Sequence, residues 1–386
     1  MNQYYFDYAS AEPLRPAAKK AILDFLDSNY IGDPSRVHSD GRSLRFLIEE
    51  SRDKVAKFFG VSSRQIIFTS GATESVHLAT YGAVKKLTNS AESPEIAVIS
   101  SAVEHSSVKE AAATFSKVVT LGTTPSGEID IDELGNLLTK QSSTNNYALI
   151  NCQYANHELG TVQPFRQVFD MAREYNILSH CDAAIAAGHV RVDFNEIGCD
   201  LMSISGHKMG APHGIGVLIV KKSLRLTSLL KGGSQERMRR AGMENIIGIL
   251  GFAEVCNQLE DSLEAELVQQ TSQMRQLTRF VDGHPLLSII GPMEPHKRLA
   301  NLMCIETDGI MGEAVVIALD RAGISIHSGS SCSSEVMEPS PILRAVGRNP
   351  DTSIRVSVGW DTSQKDLDAL MTELASALDG LKGLGR

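Results

Sequence analysis

The sequence predicts an α/β fold in which a larger domain, built on a mostly parallel sheet, precedes a smaller α+β domain. Between residues 64 and 220, short apolar runs alternate with helical patterns, which is typical of parallel strands joined by crossover helices. Residues 245–279 have the pattern of one or two long helices. After residue 285 the apolar runs become shorter, which indicates a separate α+β unit.

The elements follow from these patterns in chain order. The candidate strands of the larger domain are 65–69, 96–100, 148–152, 177–181, 201–204 and 216–220, with helices at 73–85 and 165–175. The smaller domain has candidate strands near 288 and at 301–305, and helices at 312–322 and 364–381. We place the larger domain at 16–255 and the smaller domain at 1–15 together with 256–386, since the N-terminus is too short to fold alone.

Composition narrows the class of protein. The chain has 386 residues, 42% hydrophobic content and a formal net charge of −9, enough for two cores and without a basic tract for nucleic acid. No apolar run is long enough to span a membrane, and the N-terminus lacks a signal-peptide pattern. The six cysteines show no zinc spacing, so we expect no metal and reduced thiols in the cytoplasm.

Two consecutive candidate strands end in residues that one kind of chemistry requires. Asp182 follows one strand, and Lys208 follows the next after the small residues Ser205 and Gly206. Enzymes that use pyridoxal phosphate (PLP) need a lysine that forms a Schiff base and a carboxylate that pairs with the pyridine nitrogen. Ligands of α/β folds bind at the carboxyl ends of strands, so we predict an amine-handling enzyme. Taken alone, Lys208 would more often be a surface lysine at a strand end, but Ser205 and Gly206 leave room for a bulky cofactor near the backbone.

Residues 70–75 and His105 also follow candidate strands. The run Ser-Gly-Ala-Thr-Glu-Ser at 70–75 opens a helix, where exposed N–H groups suit a phosphate; an ordinary helix cap is the alternative. This run is neither a Walker loop nor a dinucleotide fingerprint. His105 could stack on a planar cofactor and move protons, or it could be a simple loop histidine.

Two further residues lie near the C-terminus. Cys332 lies in the Gly- and Ser-rich run 328–335, where we expect an exposed and therefore nucleophilic thiol rather than an incidental loop cysteine. Arg355 alternates with β-branched residues and could bind a carboxylate with both arms of its guanidinium, or it could lie on a solvated strand face.

In this chain order, the sequence resembles the cysteine desulfurases of the NifS/IscS type, in the class V aminotransferase group of fold-type I PLP-dependent transferases. The resemblance runs nearly end to end and implies a seven-stranded, mostly parallel sheet. The matching blocks are 5–9, 70–75, Glu104-His105, Glu158-Leu159-Gly160, Asp182-Ala183, 205–208, Gln235-Glu236-Arg237, 328–339 and Leu343-Arg344.

The resemblance implies roles for matching cofactor-binding positions. Lys208 would hold PLP and abstract the Cα proton, Asp182 would pair with the pyridinium nitrogen, and His105 would stack on the ring. The phosphate would be bound by Thr73, Ser205 and His207, with Ala72 among the cofactor-binding positions.

The resemblance also implies roles toward the substrate. Arg355 would bind the substrate carboxylate, and Asn156 is a candidate contact of both the cofactor and the substrate. Cys332 would attack the substrate sulfur and leave as a persulfide, with release of L-alanine. Its setting resembles that of family members in which the cysteine lies on a mobile loop, here about residues 326–338, that carries sulfur to an acceptor.

Three positions depart from the family pattern. His157 follows Asn156 and occupies the position of an asparagine that hydrogen-bonds PLP. Ile185 replaces a glutamine, and Met243 replaces a threonine that reaches the phosphate of the partner subunit. These changes indicate a divergent subfamily.

We therefore expect a homodimeric, cytoplasmic, PLP-dependent cysteine desulfurase. Its substrate is L-cysteine, and its acceptor is an iron–sulfur scaffold protein or a tRNA-thiolation enzyme. One alternative is a selenocysteine or cystine lyase, or another class V enzyme. The other is a catalytically weak homologue that acts as a binding or regulatory partner.

Overall fold

The computed structural model describes residues 4–87, 96–140, 146–329 and 339–382. The strands are Tyr4–Tyr5 (β1), Ile66–Thr69 (β2), Ile96–Ser101 (β3), Lys117–Leu121 (β4), Asn146–Asn151 (β5), Leu178–Asp182 (β6), Leu201–Ser205 (β7), Gly216–Val220 (β8), Leu287–Ile290 (β9), Leu302–Thr307 (β10), Ile324–Ser325 (β11), His327–Ser328 (β12) and Ser353–Ser357 (β13). The α-helices are Pro16–Leu26 (α1), Ser39–Phe58 (α2), Ala72–Leu87 (α3), Ser106–Phe115 (α4), Ile131–Thr139 (α5), Phe165–Glu174 (α6), Phe194–Ile197 (α7), Gln235–Met238 (α8), Ile246–Gly283 (α9), Gly312–Arg321 (α10), Pro341–Ala345 (α11) and Gln364–Lys382 (α12).

The central sheet has seven strands in the order β2-β8-β7-β6-β5-β3-β4. All neighbours are parallel except β8, which runs antiparallel to both β2 and β7. The predicted α/β class with a mostly parallel seven-stranded sheet is confirmed. The sequence patterns did not single out β4, an edge strand whose side chains are largely half-buried or exposed and so lack the fully apolar character of its neighbours.

Helices cover both faces of this sheet. Every residue of β7 and of β8 is buried, as expected for strands enclosed on two sides. The largest hydrophobic cluster joins one face to α2, α6 and α9, and a second cluster packs α3 on the other face. Since both faces of the sheet are covered, a ligand can reach the parallel strands only at their ends.

A four-stranded antiparallel sheet, β12-β13-β10-β9, has its own hydrophobic cluster with α10 and α12. The N-terminal β1 pairs with β11 beside it. The one or two helices predicted for residues 245–279 are a single helix, α9, with 38 residues. The proposed domain boundary after residue 255 falls inside α9 and stays a prediction.

A buried row of hydrogen bonds crosses four neighbouring strands of the central sheet. The amide of Asn151 donates to Ser100 Oγ (3.0 Å), and its Oδ1 lies 2.9 Å from His180 Nδ1. The other ring nitrogen, His180 Nε2, lies 2.8 Å from Ser203 Oγ. This amide orientation makes Nδ1 the protonated nitrogen, so the Ser203 hydroxyl donates to Nε2. A slip of any of these strands would leave buried polar groups unpaired, so the row helps to fix their register.

Substitution of His180 by leucine should lower the free energy of unfolding by about 2–4 kcal/mol at pH 7. The leucine leaves the side-chain oxygens of Asn151 and Ser203 buried without a partner, and each unpaired group costs about 1–3 kcal/mol. Urea denaturation of the wild type and of His180→Leu measures the difference.

The difference in the free energy of unfolding between the wild type and His180→Leu should also become smaller in acid. Burial lowers the pKa of His180 from 6.5 to about 4, so the unfolded chain takes up a proton as pH falls below 6.5 while the folded chain does not. The wild type therefore loses stability between pH 6.5 and 4 through a group that the variant lacks. As a control, the exposed His296→Leu should change stability by less than about 0.5 kcal/mol. Equal stability of His180→Leu and wild type would contradict the role of the row.

Candidate active site

A cavity of about 820 Å³ opens at the carboxyl ends of the central parallel strands. Its lining comes from the turn between β2 and α3, from the segments after β3, β5, β6 and β7, and from Arg355 on β13 of the smaller sheet. The cavity therefore brings together residues from both parts of the chain, as expected for a ligand site in an α/β fold.

Lys208 ends a short 3₁₀ turn, Gly206–Lys208, that follows β7 directly. A side chain at Gly206 would collide with Ile215, because a Cβ there would lie 2.6 Å from its side chain and 2.9 Å from its carbonyl oxygen. Glycine thus lets the turn pack closely and aim the lysine at the cavity. Burial, and next the positive charge of Arg355, lower the pKa of Lys208 from 10.5 to about 8, although Asp182 and Asp7 oppose this.

Asp182 lies at the end of β6 and faces the same cavity. Its Oδ1 accepts a hydrogen bond from the Ala184 N–H at 3.0 Å, which orients the carboxylate. It acts electrostatically on both Lys208 and His105, so the three ionisable groups form one cluster.

His105 caps the N-terminus of α4. Its Nδ1 accepts from the Ser107 N–H at 3.1 Å, so in the neutral ring Nε2 carries the proton. Burial lowers the pKa of His105 from its ordinary value. The cap thereby fixes both the ring orientation and the tautomer that the cavity meets.

His157 and Asn156 have different environments although they are adjacent. His157 lines the cavity, with its ring centroid 4.9 Å from that of His105 in an edge-to-face arrangement. Burial, and next electrostatic repulsion from His105 and Lys208, which a second positive charge here would meet, hold the pKa of His157 well below its usual range. The ring is therefore neutral at physiological pH and can both donate and accept a hydrogen bond.

Asn156 is fully buried and does not line the cavity. Its amide nitrogen donates to the Val103 carbonyl at 3.0 Å, and its Oδ1 accepts from the N–H groups of Glu158 and Leu159. These bonds hold the backbone turn that carries His157. Contacts of Asn156 with a cofactor or substrate stay a prediction.

The predicted phosphate-binding residues lie together. Ala72 and Thr73 begin the 16-residue helix α3, whose first N–H groups have no intrahelical acceptor. The space beside Gly71 is open, since nothing lies within 4 Å of a Cβ built there. Ser205 and His207 line the same cavity, with Ser205 Oγ and His207 Nδ1 3.1 Å apart.

Arg355 is buried, so a solvated strand face is excluded. Its Nη2 donates to Asp7 Oδ1 (2.6 Å) and to Ser10 Oγ (2.7 Å), while Nη1 donates to the His157 carbonyl oxygen (2.9 Å). Asp7 was not singled out from the sequence, because its partner lies 348 residues away in the chain. Its only signal was its place in the matching block at 5–9.

The remaining predicted positions have different outcomes. Cys332 lies outside the described residues, as does 330–338 of the predicted mobile loop. Ile185 is buried and lines the cavity, whereas Met243 is 60% exposed and does not line it. Sequence reasoning assigned no role to Glu104, whose buried carboxylate accepts from the Gln153 N–H (2.8 Å) and whose pKa is raised by burial to about 8.

The side chains that face the cavity fit PLP. An amine and two imidazoles with lowered pKa values, a carboxylate and a helix start are groups that suit such a phosphorylated pyridine, of which the lysine and the carboxylate are the ones its chemistry needs. Within the described ranges, no group of three or more histidine, cysteine or acidic residues could hold a metal ion. None of the described helices is both long and apolar enough to cross a membrane.

Comparisons with known proteins agree with this geometry. The family model for aminotransferase class-V matches residues 4–370. A protein named cysteine desulfurase IscS from Dictyoglomus turgidum is 34% identical over 388 residues, covering 98% of this chain and 95% of that protein. Another of the same name, from Methanosarcina thermophila, is 31% identical over 391 residues, covering 98% and 93%.

Solved structures are similar over the same extent. A NifS-like protein superposes with a TM-score of 0.88 at 25% identity, covering 99% of this chain and 100% of that one. The NifS-like protein from Rickettsia africae superposes with a TM-score of 0.86 at 25% identity, covering 97% and 99%.

Lys208 of the cofactor-free protein should react with amine reagents at lower pH than a surface lysine. Only the neutral amine is nucleophilic, so its labelling rate should reach half of its maximum near pH 8. Reductive methylation at a series of pH values, followed by peptide mass spectrometry, measures this rate for each lysine.

Lys20 serves as the internal control. It is exposed, and its hydrogen bond to Asp24 raises its pKa above 10.5, so it should label only in stronger alkali. If Lys208 and Lys20 showed the same pH dependence, burial would not activate Lys208.

Proposed function

The chain belongs to the aminotransferase class-V family, and we propose that it is a PLP-dependent cysteine desulfurase. It would convert L-cysteine to L-alanine and pass the sulfur to an acceptor. The observation that carries the proposal is the meeting of Lys208, Asp182, His105 and the start of α3 in one cavity. The full-length similarity to proteins named cysteine desulfurase supports the same reaction.

Lys208 would hold the cofactor and move the Cα proton of the substrate. Its lowered pKa supports this role, since a neutral amine is both the nucleophile and the base that are needed near pH 8. Bound PLP supplies an electron sink for the charge that develops at Cα. Asp182 would keep the pyridine nitrogen protonated, and Thr73, Ser205 and His207, with Ala72, would bind the phosphate.

The two neutral imidazoles would contact the cofactor ring. His105 would stack on it, with its proton held on Nε2 by the cap of α4. His157 would take the place of the asparagine that bonds the phenolic oxygen in the family. Because both rings are neutral, they add no positive charge around Lys208.

Arg355 would bind the substrate carboxylate. A second carboxylate, that of Asp7, already pairs with this guanidinium at 2.6 Å, so the substrate would share it or displace Asp7. Arg355 Nε is buried and has no hydrogen-bond partner among the described residues, which leaves a donor free. Asn156 would act on the substrate indirectly, through the turn that it holds.

Cys332 would receive the sulfur. Its thiolate would attack the sulfur of L-cysteine bound in the cavity, forming a persulfide as the carbon–sulfur bond breaks and L-alanine is released. This assignment rests on the sequence around Cys332. Five other cysteines are buried free thiols, and burial raises the pKa of each.

We further propose a cytoplasmic homodimer that delivers sulfur to an iron–sulfur scaffold protein or a tRNA-thiolation enzyme. Free, unpaired cysteines suit a reducing compartment. Met238 and Met243 are 75% and 60% exposed, and an apolar surface of this kind suits burial against a second copy. A lyase that needs no protein thiol is the second candidate function.

Replacement of Cys332 by alanine should abolish persulfide formation and reduce sulfide and alanine release from L-cysteine by at least about a hundredfold. The reason is loss of the nucleophile, an effect of the size seen for catalytic groups. Sulfide and alanine are assayed with a reductant present, and the persulfide is located by mass spectrometry.

Two controls accompany this variant. Ser333→Ala, beside Cys332 in the chain, should keep the wild-type rate, and Lys208→Ala should be inactive. Alanine release that survives in Cys332→Ala would refute the desulfurase and identify a lyase. Absence of activity in the PLP-loaded wild type as well would refute both.

Replacement of His157 by alanine should weaken PLP binding by about tenfold, because a hydrogen bond to a polarised oxygen is lost. His157→Asn should retain the affinity, since the amide also donates. Absorbance titration of the cofactor-free protein with PLP measures both, and the pH dependence of the bound-cofactor spectrum shows whether His157 contacts the chromophore.

Ile185→Ala is the control for His157→Ala, because it also shortens a side chain that lines the cavity but removes no hydrogen bond. It should leave the pH dependence of the spectrum unchanged. If His157→Ala and His157→Asn bound PLP equally, His157 would not bond the cofactor.

A further inference from the structure

A second cavity, of about 240 Å³, lies between α9 and residues 293–300, and its lining shares no residue with the active-site cavity. One wall is the face of α9 that carries Thr271, Arg275 and Arg279. The opposite wall is the segment that ends at Arg298 and leads into β10. This cavity therefore lies beside the smaller sheet, away from Lys208.

Three arginines line this small cavity: Arg275, Arg279 and Arg298. Within the described parts of the chain, no ion pair and no side-chain hydrogen bond joins any of them to an acidic residue. Among the described acidic residues, only Asp282 acts appreciably on Arg298, and its negative charge raises the pKa of that guanidinium. Burial has the larger effect, and the pKa of Arg298 is lowered as a result. Apart from the weaker effect of Asp282, the positive charge of the cavity is thus not compensated by a paired acidic side chain among the described residues.

This arrangement is unfavourable without a ligand. Arg275 and Arg279 are both exposed and lie four residues apart on α9, so their like charges repel each other weakly. Arg298 brings a third positive charge to the opposite wall, and its Nη1 is buried without a hydrogen-bond partner. Groups that cost stability in the free protein are characteristic of binding sites, where the ligand offsets the cost.

The rest of the lining limits the kind of ligand. Met274, Met293 and Leu299 supply an apolar floor beside the arginines. Guanidinium groups match the planar, two-oxygen geometry of carboxylates and the oxygens of phosphates. A volume of about 240 Å³ admits only a small molecule, since drug-sized ligands fill cavities of roughly 300–1,000 Å³.

We propose that this cavity is a binding site for a small organic anion, in which a carboxylate or monophosphate is joined to a short apolar body. The oxyanion would be held between Arg275, Arg279 and Arg298, and the apolar body would pack on Met274 and Leu299. The site goes beyond the desulfurase function and does not depend on it.

The position of the site also connects it to the catalytic turn. The Leu299 N–H donates to the Gly160 carbonyl at 2.9 Å, and Thr161 pairs with Arg298 as an antiparallel bridge. Gly160 and Thr161 follow the turn that carries His157. A bound anion would thus lie directly behind this turn.

Binding to the PLP-loaded protein is tested with four probes at constant ionic strength. Butyrate and n-butyl phosphate combine an anion with an apolar body, inorganic phosphate lacks the body, and n-butanol lacks the charge. Isothermal titration calorimetry and saturation-transfer NMR measure affinity. We expect saturable binding of one or both of the first two probes, at least tenfold tighter than binding of phosphate or butanol.

Variants locate the binding. Arg279→Gln and Arg275→Gln should each weaken it by about tenfold, as expected for loss of a charged hydrogen bond. Arg321→Gln, an exposed arginine on α10 outside the cavity, should leave it unchanged. Since Arg279 is exposed, its variant should fold, and its urea midpoint should equal or exceed that of the wild type because a repulsion is removed.

Three outcomes would overturn the proposal. They are the absence of saturable binding, equal affinity for phosphate or butanol, and unchanged affinity in both Arg275→Gln and Arg279→Gln. In the last case the probes would occupy the active site, where they would also alter the absorbance of bound PLP.

Discussion

The row Ser100–Asn151–His180–Ser203 is the constraint on which the geometry of the active site depends. Each of its four residues lies on a different strand of the central sheet, and each strand leads to a side chain of the cavity at its carboxyl end: His105, His157, Asp182 or Lys208. A shift of one residue in any strand would break the row and turn the strand's side chains to the other face. Holding the register therefore holds the spacing of the site residues.

The electrostatic balance in the cavity depends on the two imidazoles, those of His105 and His157, whose pKa values are lowered by burial. The positive charge of Arg355 is close enough to Lys208 to lower the pKa of its amine. The two imidazoles line the same cavity. Burial keeps both imidazoles uncharged, while Asp7 and Asp182 supply the compensating negative charge. The desolvation that activates Lys208 thus also prevents the histidines from competing with it.

The fold, and several of the residues that meet in the cavity, could be predicted from the sequence because they depend on local pattern. Alternating apolar runs gave the strands, and strand ends gave Asp182, Lys208 and His105. Features set by tertiary packing could not be predicted in this way. The pairing of Arg355 with Asp7 joins chain ends far apart, and β4 is an edge strand without a buried pattern.

The different environments of Asn156 and His157 are a further feature that local sequence pattern could not predict. Adjacent residues in a turn have no periodicity that tells which side chain faces a ligand. Only the structure shows that Asn156 bonds three backbone groups while His157 lines the cavity. The family resemblance predicts that His157 occupies the position of a cofactor-binding asparagine, and His157 is the one of the two that lines the cavity.

This difference in environment has an evolutionary consequence. Because the bonds that hold the turn come from the Asn156 side chain, from Arg355 and from the backbone, and none uses the side chain at 157, that residue can change without altering the path of the chain. Codons for asparagine and histidine differ only at their first base, so a single mutation can exchange an amide for an imidazole in the lining of the cavity. Selection could in this way adjust the chemistry of the site while leaving its framework intact.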